Sequence, residues 1–474
     1  MAFNLNEEPL ERAAARAGEL FISLFRDLET RRVDPGLSAE EFLPRFRDTL
    51  AEEGVGLLAA LDDFREQVVP ASMATPHPMY FGLVNCSPLP AAALADLLVS
   101  SLNNNNGAFG QGPAAAAAEQ ELLRSFSNLC YGHENATGMI LPGGSFANLQ
   151  GLLLARTRHF PDWDSEGPLA VKRQPILYTS EVSHFSVLRA AKAMGLGEAC
   201  VAAIEAQGRG AMDADALARR IRSDKDENRE PFAVVATAGT TGTGAIDPLE
   251  DIASLCKEHR LWMHVDACYG GAALLLDKLK PRFAGLERAD SIALDPHKWF
   301  FAPLTTSLIL VRDPEIEHQC FDIKASYIPH RESMDSFRRG LPTSRRASPL
   351  TLWMALRAHG WNAVREAVRE NIRLTRILEI VLEQAGFAVA PDGELSMACA
   401  RFEPAGWSAE ATDQLQADIA HALVASGETW FATLQHDGKI WMRFNLLNLY
   451  TKERHIKKLV RLVTRAAKKL SEAV

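Results

Sequence analysis

Ser291-Ile292-Ala293-Leu294-Asp295-Pro296-His297-Lys298-Trp299 reads as a short apolar strand that leaves the interior on an acid, a proline turn and a lysine. Phe300-Phe301-Ala302-Pro303 follows, so Lys298 lies in apolar surroundings. Poor solvation disfavours its charged form and predicts a neutral, nucleophilic amine. Upstream by 298 − 266 = 32 residues, His264-Val265-Asp266-Ala267-Cys268-Tyr269-Gly270-Gly271 is again an apolar strand ending in an acid and a glycine turn. Apolar, β-prone runs at 176–178, 233–237 and 307–311 alternate with helical stretches between about residues 81 and 340. Strands separated by helices imply an α/β fold with a mostly parallel sheet covered on both faces.

At 474 residues the chain holds a large domain and a smaller one, or two to three domains. Hydrophobic content of 47% and charged content of 23% are ordinary for a globular protein. A net charge of −9 gives no reason to expect nucleic acid or an anionic membrane as partner. No apolar run approaches the roughly 18 residues that span a bilayer, and residues 1–34 carry no signal-peptide core. The seven cysteines (86, 130, 200, 256, 268, 320, 399) show no metal-ligand spacing and read as free thiols in a reducing cytoplasm. Apolar positions recur at helical spacing over 11–28, 39–50 and 55–68, and helical sequence resumes at 350–358 and 361–384. The tail mixes β-prone runs (397–402, 440–446) with a basic helix over 452–471, the composition of a smaller α+β part.

Pro142-Gly143-Gly144-Ser145 precedes a helix over 146–158. Exposed backbone N–H groups there suit a phosphate, although a plain capping turn has the same sequence. Ser183-His184-Phe185-Ser186 joins the strand at 176–178 to a helix over 187–194, which places His184 at the ligand-binding edge of a parallel sheet. A solvated or capping histidine is the competing reading there. Thr237-Ala238-Gly239-Thr240-Thr241-Gly242-Thr243-Gly244 lets the backbone pass close to a ligand. Strand alternation puts Asp266 and Cys268 on one face, and an acid that ends an apolar strand is costly to bury without a partner. A Schiff-base lysine together with an acid for a pyridinium nitrogen points to pyridoxal phosphate (PLP).

Gly-Gly-Ser at 143–145, Ser-His at 183–184, His-Val-Asp-Ala at 264–267 and Pro-His-Lys-Trp at 296–299 occur in that order. Together they resemble the PLP-dependent amino-acid decarboxylases of the aromatic-amino-acid and glutamate decarboxylase group, from about His77 to the last helix. The resemblance implies PLP fold type I. Its parts are an N-terminal helical dimerisation segment (1–80), a large PLP-binding domain (81–345) around a mostly parallel seven-stranded sheet, and a small C-terminal α+β domain (346–474). It implies that Lys298 carries the cofactor, Asp266 pairs with the ring nitrogen and His184 stacks on the ring. Ser145 and the backbone at Gly144 hold the phosphate with help from His297, while Cys268 packs on the ring. Thr241 and Ser291 match positions near the cofactor. Arg443 matches an arginine that grips the substrate carboxylate, and Tyr327 a loop tyrosine that protonates the substrate carbon.

The stretch 77–84, with Tyr80 and Leu83, lines the substrate pocket in the resembled enzymes. Leu83 stands where glutamate-specific members carry glutamine, which favours an aromatic substrate. Asn103 to Asn106, Asn105 among them, fall in a segment that reaches a neighbouring subunit's site, which favours a polar or acidic one; of the two, an aromatic substrate is the expectation and an acidic or diamino one the alternative. An obligate homodimer with shared active sites is implied. Two departures stand out: Cys268 replaces an alanine and exposes the site to oxidation, and Asp295 replaces an asparagine and brings a carboxylate near the phosphate. An aldehyde synthase or aminotransferase on the same fold is the competing activity, and a non-catalytic scaffold the competing class. Tyr327 argues against the first, and intact Lys298, Asp266 and His184 against the second.

Overall fold

The computed structural model describes residues 7–323 and 334–472, so Tyr327 lies outside the described residues. Apolar runs become strands buried at every position: Trp262–Asp266, Ser291–Leu294 and Ser307–Val311. Such strands are stable only with cover on both faces. The sheet comprises β1 (Thr137–Leu141), β2 (Pro175–Ser180), β3 (Val201–Ile204), β4 (Glu230–Thr237), β5 (Trp262–Asp266), β6 (Ser291–Leu294) and β7 (Ser307–Val311). Its seven strands lie in the order β1-β7-β6-β5-β4-β2-β3. The neighbours from β6 to β3 are all parallel. β7 is antiparallel to both β6 and β1, so β1 points the same way as the parallel set. This is the fold-type-I sheet that the sequence implies; β1 and β3 were not among the runs singled out there.

The helix Gly144–His159 packs Ala147, Leu152 and Leu154 into one buried cluster with Met139, Leu177, Val235 and Ile309 of the sheet. That fixes the helix N-terminus at the end of β1. Of the helices expected in the first 80 residues, the one over 39–50 is cut short. An α-helix spans only Ala39–Phe42 and a 3-10 turn Leu43–Phe46, because Pro44 supplies no N–H to continue the α pattern. The expected pair 350–358 and 361–384 is present within Pro349–Gln384, as two helices separated by the non-helical Gly360 with φ 72°.

The described chain divides into two compact units, one of Pro88–Ile372 with Ala390–Met397, the other of Met1–Ser87, Arg373–Val389 and Ala398–Val474. This differs from three parts broken after 80 and 345. N-terminal and C-terminal segments join because Val33 N donates to Gly427 O (2.9 Å) and Phe81 N to Trp430 O (2.8 Å). Val33, Met79 and Phe81 are buried in one core with Leu374, Phe431 and Phe444. Within that unit a four-stranded sheet orders Ala388–Val389, Met397–Arg401, Lys439–Asn445 and Ala432–His436. Among the described residues no helix is long and apolar enough to cross a membrane.

Under the edge strand β1, in the sheet-bearing unit, lies a buried ionic cluster. Arg345 pairs with Glu119, which also accepts from Asn106 Nδ2 at 3.0 Å and from the backbone of Ile140. Nearby, burial raises the Glu317 carboxyl to about 7, against the pull of Arg339 and the Thr137 hydroxyl. A folded-state value above the unfolded 4.5 means that the native state binds the extra proton between those values. Stability from this group is therefore full below about pH 4.5 and is lost as pH rises through about 7. Glu317→Gln is expected to flatten that fall, worth at most about 3 kcal/mol. Melting temperatures of both proteins between pH 4.5 and 8 check it, and parallel curves would refute it.

Candidate active site

β1, β2, β4, β5 and β6 point their C-terminal ends to one edge of the sheet, the edge at which open α/β sheets take ligands. The segments singled out from sequence all follow those ends, and they enclose a cavity of about 320 Å³. Gly144, Ser145, His184, Thr241, Asp266, Cys268, His297 and Lys298 line it. Pro142, Gly143, Phe146, Thr237, Gly239, Tyr269, Asp295 and Thr305 complete its wall.

Lys298 Nζ lies 2.9 Å from Asp295 Oδ2, three residues before it across a hydrogen-bonded turn, and the Ser307 hydroxyl donates to the other oxygen of that carboxylate. Burial lowers the lysine pKa, but the Asp295 and Asp266 carboxylates outweigh it and carry the amine above its ordinary value. The neutral amine expected from the apolar neighbours is thus corrected. Apolar flanks remove water, but two carboxylates in the same cavity decide the charge. Asp295 does not turn away from the helix that begins at Gly144 either. A side-chain carbon on Gly144 would come within 2.8 Å of both Asp295 Oδ2 and Cys268 Sγ, so only glycine permits this approach.

Asp266 accepts from Asn148 Nδ2 at 2.8 Å and from the backbone of Cys268 at 3.1 Å. Burial raises its pKa, but Lys298, Asn148 and Cys268 together hold it below the usual carboxylate range. Burial raises the Cys268 thiol well above its ordinary value, with Asp266 and Asp295 adding to the shift. A protonated, buried thiol is a poor nucleophile, contrary to the oxidation sensitivity expected from sequence. His184 Nδ1 meets Ser186 Oγ at 2.7 Å and accepts the Ser186 backbone N–H at 3.2 Å. Burial lowers its pKa, so the ring is neutral near pH 7. His297 donates Nδ1–H to the Thr306 carbonyl at 2.7 Å, which fixes its ring beside Asp295.

Ser291 is a correction. It opens β6, three residues from the cavity end, or roughly 10 Å along a strand. There it is fully buried, takes the indole N–H of Trp262 at 3.0 Å and meets His264 Nδ1 at 2.8 Å. Asn105 is not on the cavity wall of its own chain. Its amide oxygen accepts from the backbones of Gly107 and Arg345, and its nitrogen donates to Gln111. Asn103 ends the helix Pro90–Leu102 in the left-handed conformation, so the asparagine run builds the turn here. Tyr80, Leu83 and Arg443 belong to the other compact unit. In it Tyr80 stacks on Trp430 with ring centroids 5.6 Å apart, Arg443 is buried near it, and Asn445 holds the Leu83 carbonyl.

A lysine, a buried acid, a neutral histidine and a helix N-terminus around one cavity agree with a family model, the pyridoxal-dependent decarboxylase conserved domain, which matches residues 40–403. The chain belongs to this family. It is 33% identical over 346 residues to an acidic amino acid decarboxylase of Mus musculus, covering 72% of this chain and 62% of that protein. It is 32% identical over 407 residues to an L-2,4-diaminobutyrate decarboxylase of Rhizobium meliloti, covering 85% of this chain and 80% of that one. A crystal structure of mouse CSAD superposes with a TM-score of 0.91 at 26% identity, covering 98% and 99% of the two chains.

Members of the pyridoxal-dependent decarboxylase family use PLP, and the residues present fit it. Gly144 and Ser145 begin a 16-residue helix on the cavity wall, and the backbone N–H groups of such a helix start suit an anion. The buried Thr237 hydroxyl on the cavity wall has no partner among the described residues and can serve a polar ligand atom. Sequence reasoning missed Asn148, His264 and Thr237. Each left a signal. Asn148 is an amide on the sheet-facing side of its helix, three residues past Ser145. His264 shares a strand face with Asp266, and Thr237 ends β4 at the cavity.

Proposed function

We propose that this chain removes CO2 from an L-α-amino acid with a short, charged side chain, acidic or diamino, and releases the amine. The observation that carries the reading is Lys298, Asp266 and His184 on one cavity in a chain of the decarboxylase family. Bound PLP supplies an electron sink for the pair left when the Cα–carboxylate bond breaks. Lys298 would hold the cofactor by its amine, and Asp266 would keep the ring nitrogen protonated. His184 would lie on the ring face. Ser145, the Gly144 backbone and His297 would hold the phosphate, with Thr241 and Cys268 packed alongside. Arg443 would take the substrate carboxylate, and Tyr327 would return a proton to Cα.

Relatives acting on acidic and diamino acids support the charged side chain, and none of the three comparisons above supports an aromatic one. The aromatic preference rested on Leu83, which is half exposed in the single chain and is one residue of a pocket. A homodimer remains part of the reading, supported by apolar side chains left in solvent. Ile22 is 55% exposed in the first helix and Leu97 63% exposed in Pro90–Leu102.

The test is CO2 and amine release by PLP-loaded protein from aspartate, glutamate, cysteine sulfinate, 2,4-diaminobutyrate, tryptophan, tyrosine and DOPA. A charged substrate should exceed every aromatic one in kcat/KM by about tenfold or more, about 1.4 kcal/mol. An aromatic amino acid as best substrate would overturn the proposal. Ammonia and peroxide among the products would replace it with an aldehyde synthase. Specific activity should fall on serial dilution as the dimer dissociates.

A further inference from the structure

Behind Asp266 and His184 runs a chain of buried polar side chains whose donors all point one way. An indole N–H can only donate, and that of Trp262 goes to Ser291 Oγ at 3.0 Å. The single hydroxyl proton of Ser291 then goes to His264 Nδ1 at 2.8 Å. Burial lowers the His264 pKa to about 4. The neutral ring, with Nδ1 accepting, carries its proton on Nε2 and donates to Asn148 Oδ1 at 3.0 Å. That turns the amide nitrogen of Asn148 to Asp266 Oδ2 at 2.8 Å and to Ser186 Oγ at 2.9 Å. Ser186 in turn donates its hydroxyl proton to His184 Nδ1 at 2.7 Å.

We propose that Trp262, Ser291, His264 and Asn148 form a one-way donor chain that sets the protons on the two cofactor-facing groups, with His264 as the positioning residue. Asp266 is left an acceptor only, and His184 carries its proton on Nε2. Packing removes the alternatives. The His264 ring is fully buried, and a side-chain carbon on Gly151 of the overlying helix would collide with it. At the far end the Ser186 backbone N–H, also a pure donor, points at His184 Nδ1. The Ser291 oxygen could accept from both Trp262 and His264, so the direction is set from the other side: the Asp266 carboxylate takes the Asn148 amide nitrogen, which turns Oδ1 to His264 and calls for a proton on Nε2 and a lone pair on Nδ1.

The inference rests on the proposed roles of Asp266 and His184, yet its first test needs no cofactor. Apoprotein labelled with 15N-histidine should show His184 and His264 both with an unprotonated Nδ1 and a protonated Nε2 near pH 7. His264→Phe fills the space but removes both ring nitrogens, leaving the long Ser186 N–H bond alone to hold His184, so a population with Nδ1 protonated should appear. It should also weaken PLP binding about tenfold or more, the effect of one buried acceptor left unmatched. His264→Gln, which keeps a donor, should restore both. Should His264→Phe fail to fold, Ser291→Ala frees the His264 tautomer by deleting one atom and should shift the same signals. A protonated Nδ1 on wild-type His184, or a His184 tautomer indifferent to whichever variant folds, would overturn the chain. Failure of wild-type protein to bind PLP would instead sink the cofactor reading and leave the tautomer result standing.

Discussion

Lys298→Ala is expected to abolish CO2 release, by about 10⁴-fold or more, roughly 5 kcal/mol of barrier, and to destabilise the apoprotein as well. The first effect follows from removing the only side-chain amine on the described cavity wall. The second follows from charge. With Lys298 gone, Asp295 and Asp266 remain buried without the cation that both face, and breaking a buried pair from one side costs about 3–5 kcal/mol. Lys298→Arg separates the two, since it keeps the charge and lacks a nucleophilic amine. Its melting temperature should approach wild type while turnover stays lost. Turnover by Lys298→Ala within tenfold of wild type would end the assignment of this lysine.

Asp266→Asn should cost on the order of 10²- to 10³-fold in kcat, about 3–4 kcal/mol, with little loss of fold. The substitution conserves volume and leaves an oxygen for the Asn148 amide, now 2.8 Å from Oδ2. What disappears is the negative charge at the end of β5, and with it the means to keep a ring nitrogen cationic. A fixed charge in a dry site is worth far more than in water. Steady-state kinetics at saturating PLP, together with a PLP titration, check this. Turnover unchanged within about threefold would show that Asp266 serves the fold and not the chemistry.

Much of this was legible in the sequence, for a physical reason. Strands buried on both faces must be apolar throughout, so β5, β6 and β7 announce themselves. The residues that leave those strands at one edge must then face a ligand, which is why 143–145, 183–184, 266 and 296–298 converge. Where the reading went wrong, it used neighbours in sequence for a question about neighbours in space. Lys298 was judged by its apolar flanks, although Asp295 at i−3 was already in view. Ser291 was counted near the cofactor, although it stands at the start of β6 and the cavity at its end. Asn105 closes a turn within its own chain, and its expected place at a neighbouring subunit's site is a matter of assembly that local sequence does not encode.

The sequence by itself determined five of the sheet's seven strands, the edge at which the parallel ones end and the residue types that reach that edge, because burial and alternation are written locally in the chain. Tertiary structure alone decided which polar atoms meet. Asn148 and Asp266 are 118 residues apart and His264 and Asn148 116 apart, yet each pair closes to a hydrogen bond. Such a bond tolerates only a few tenths of an ångström, and that precision comes from helix packing on the sheet. The protonation of Asp266, His184 and Lys298 is therefore a property of the folded chain.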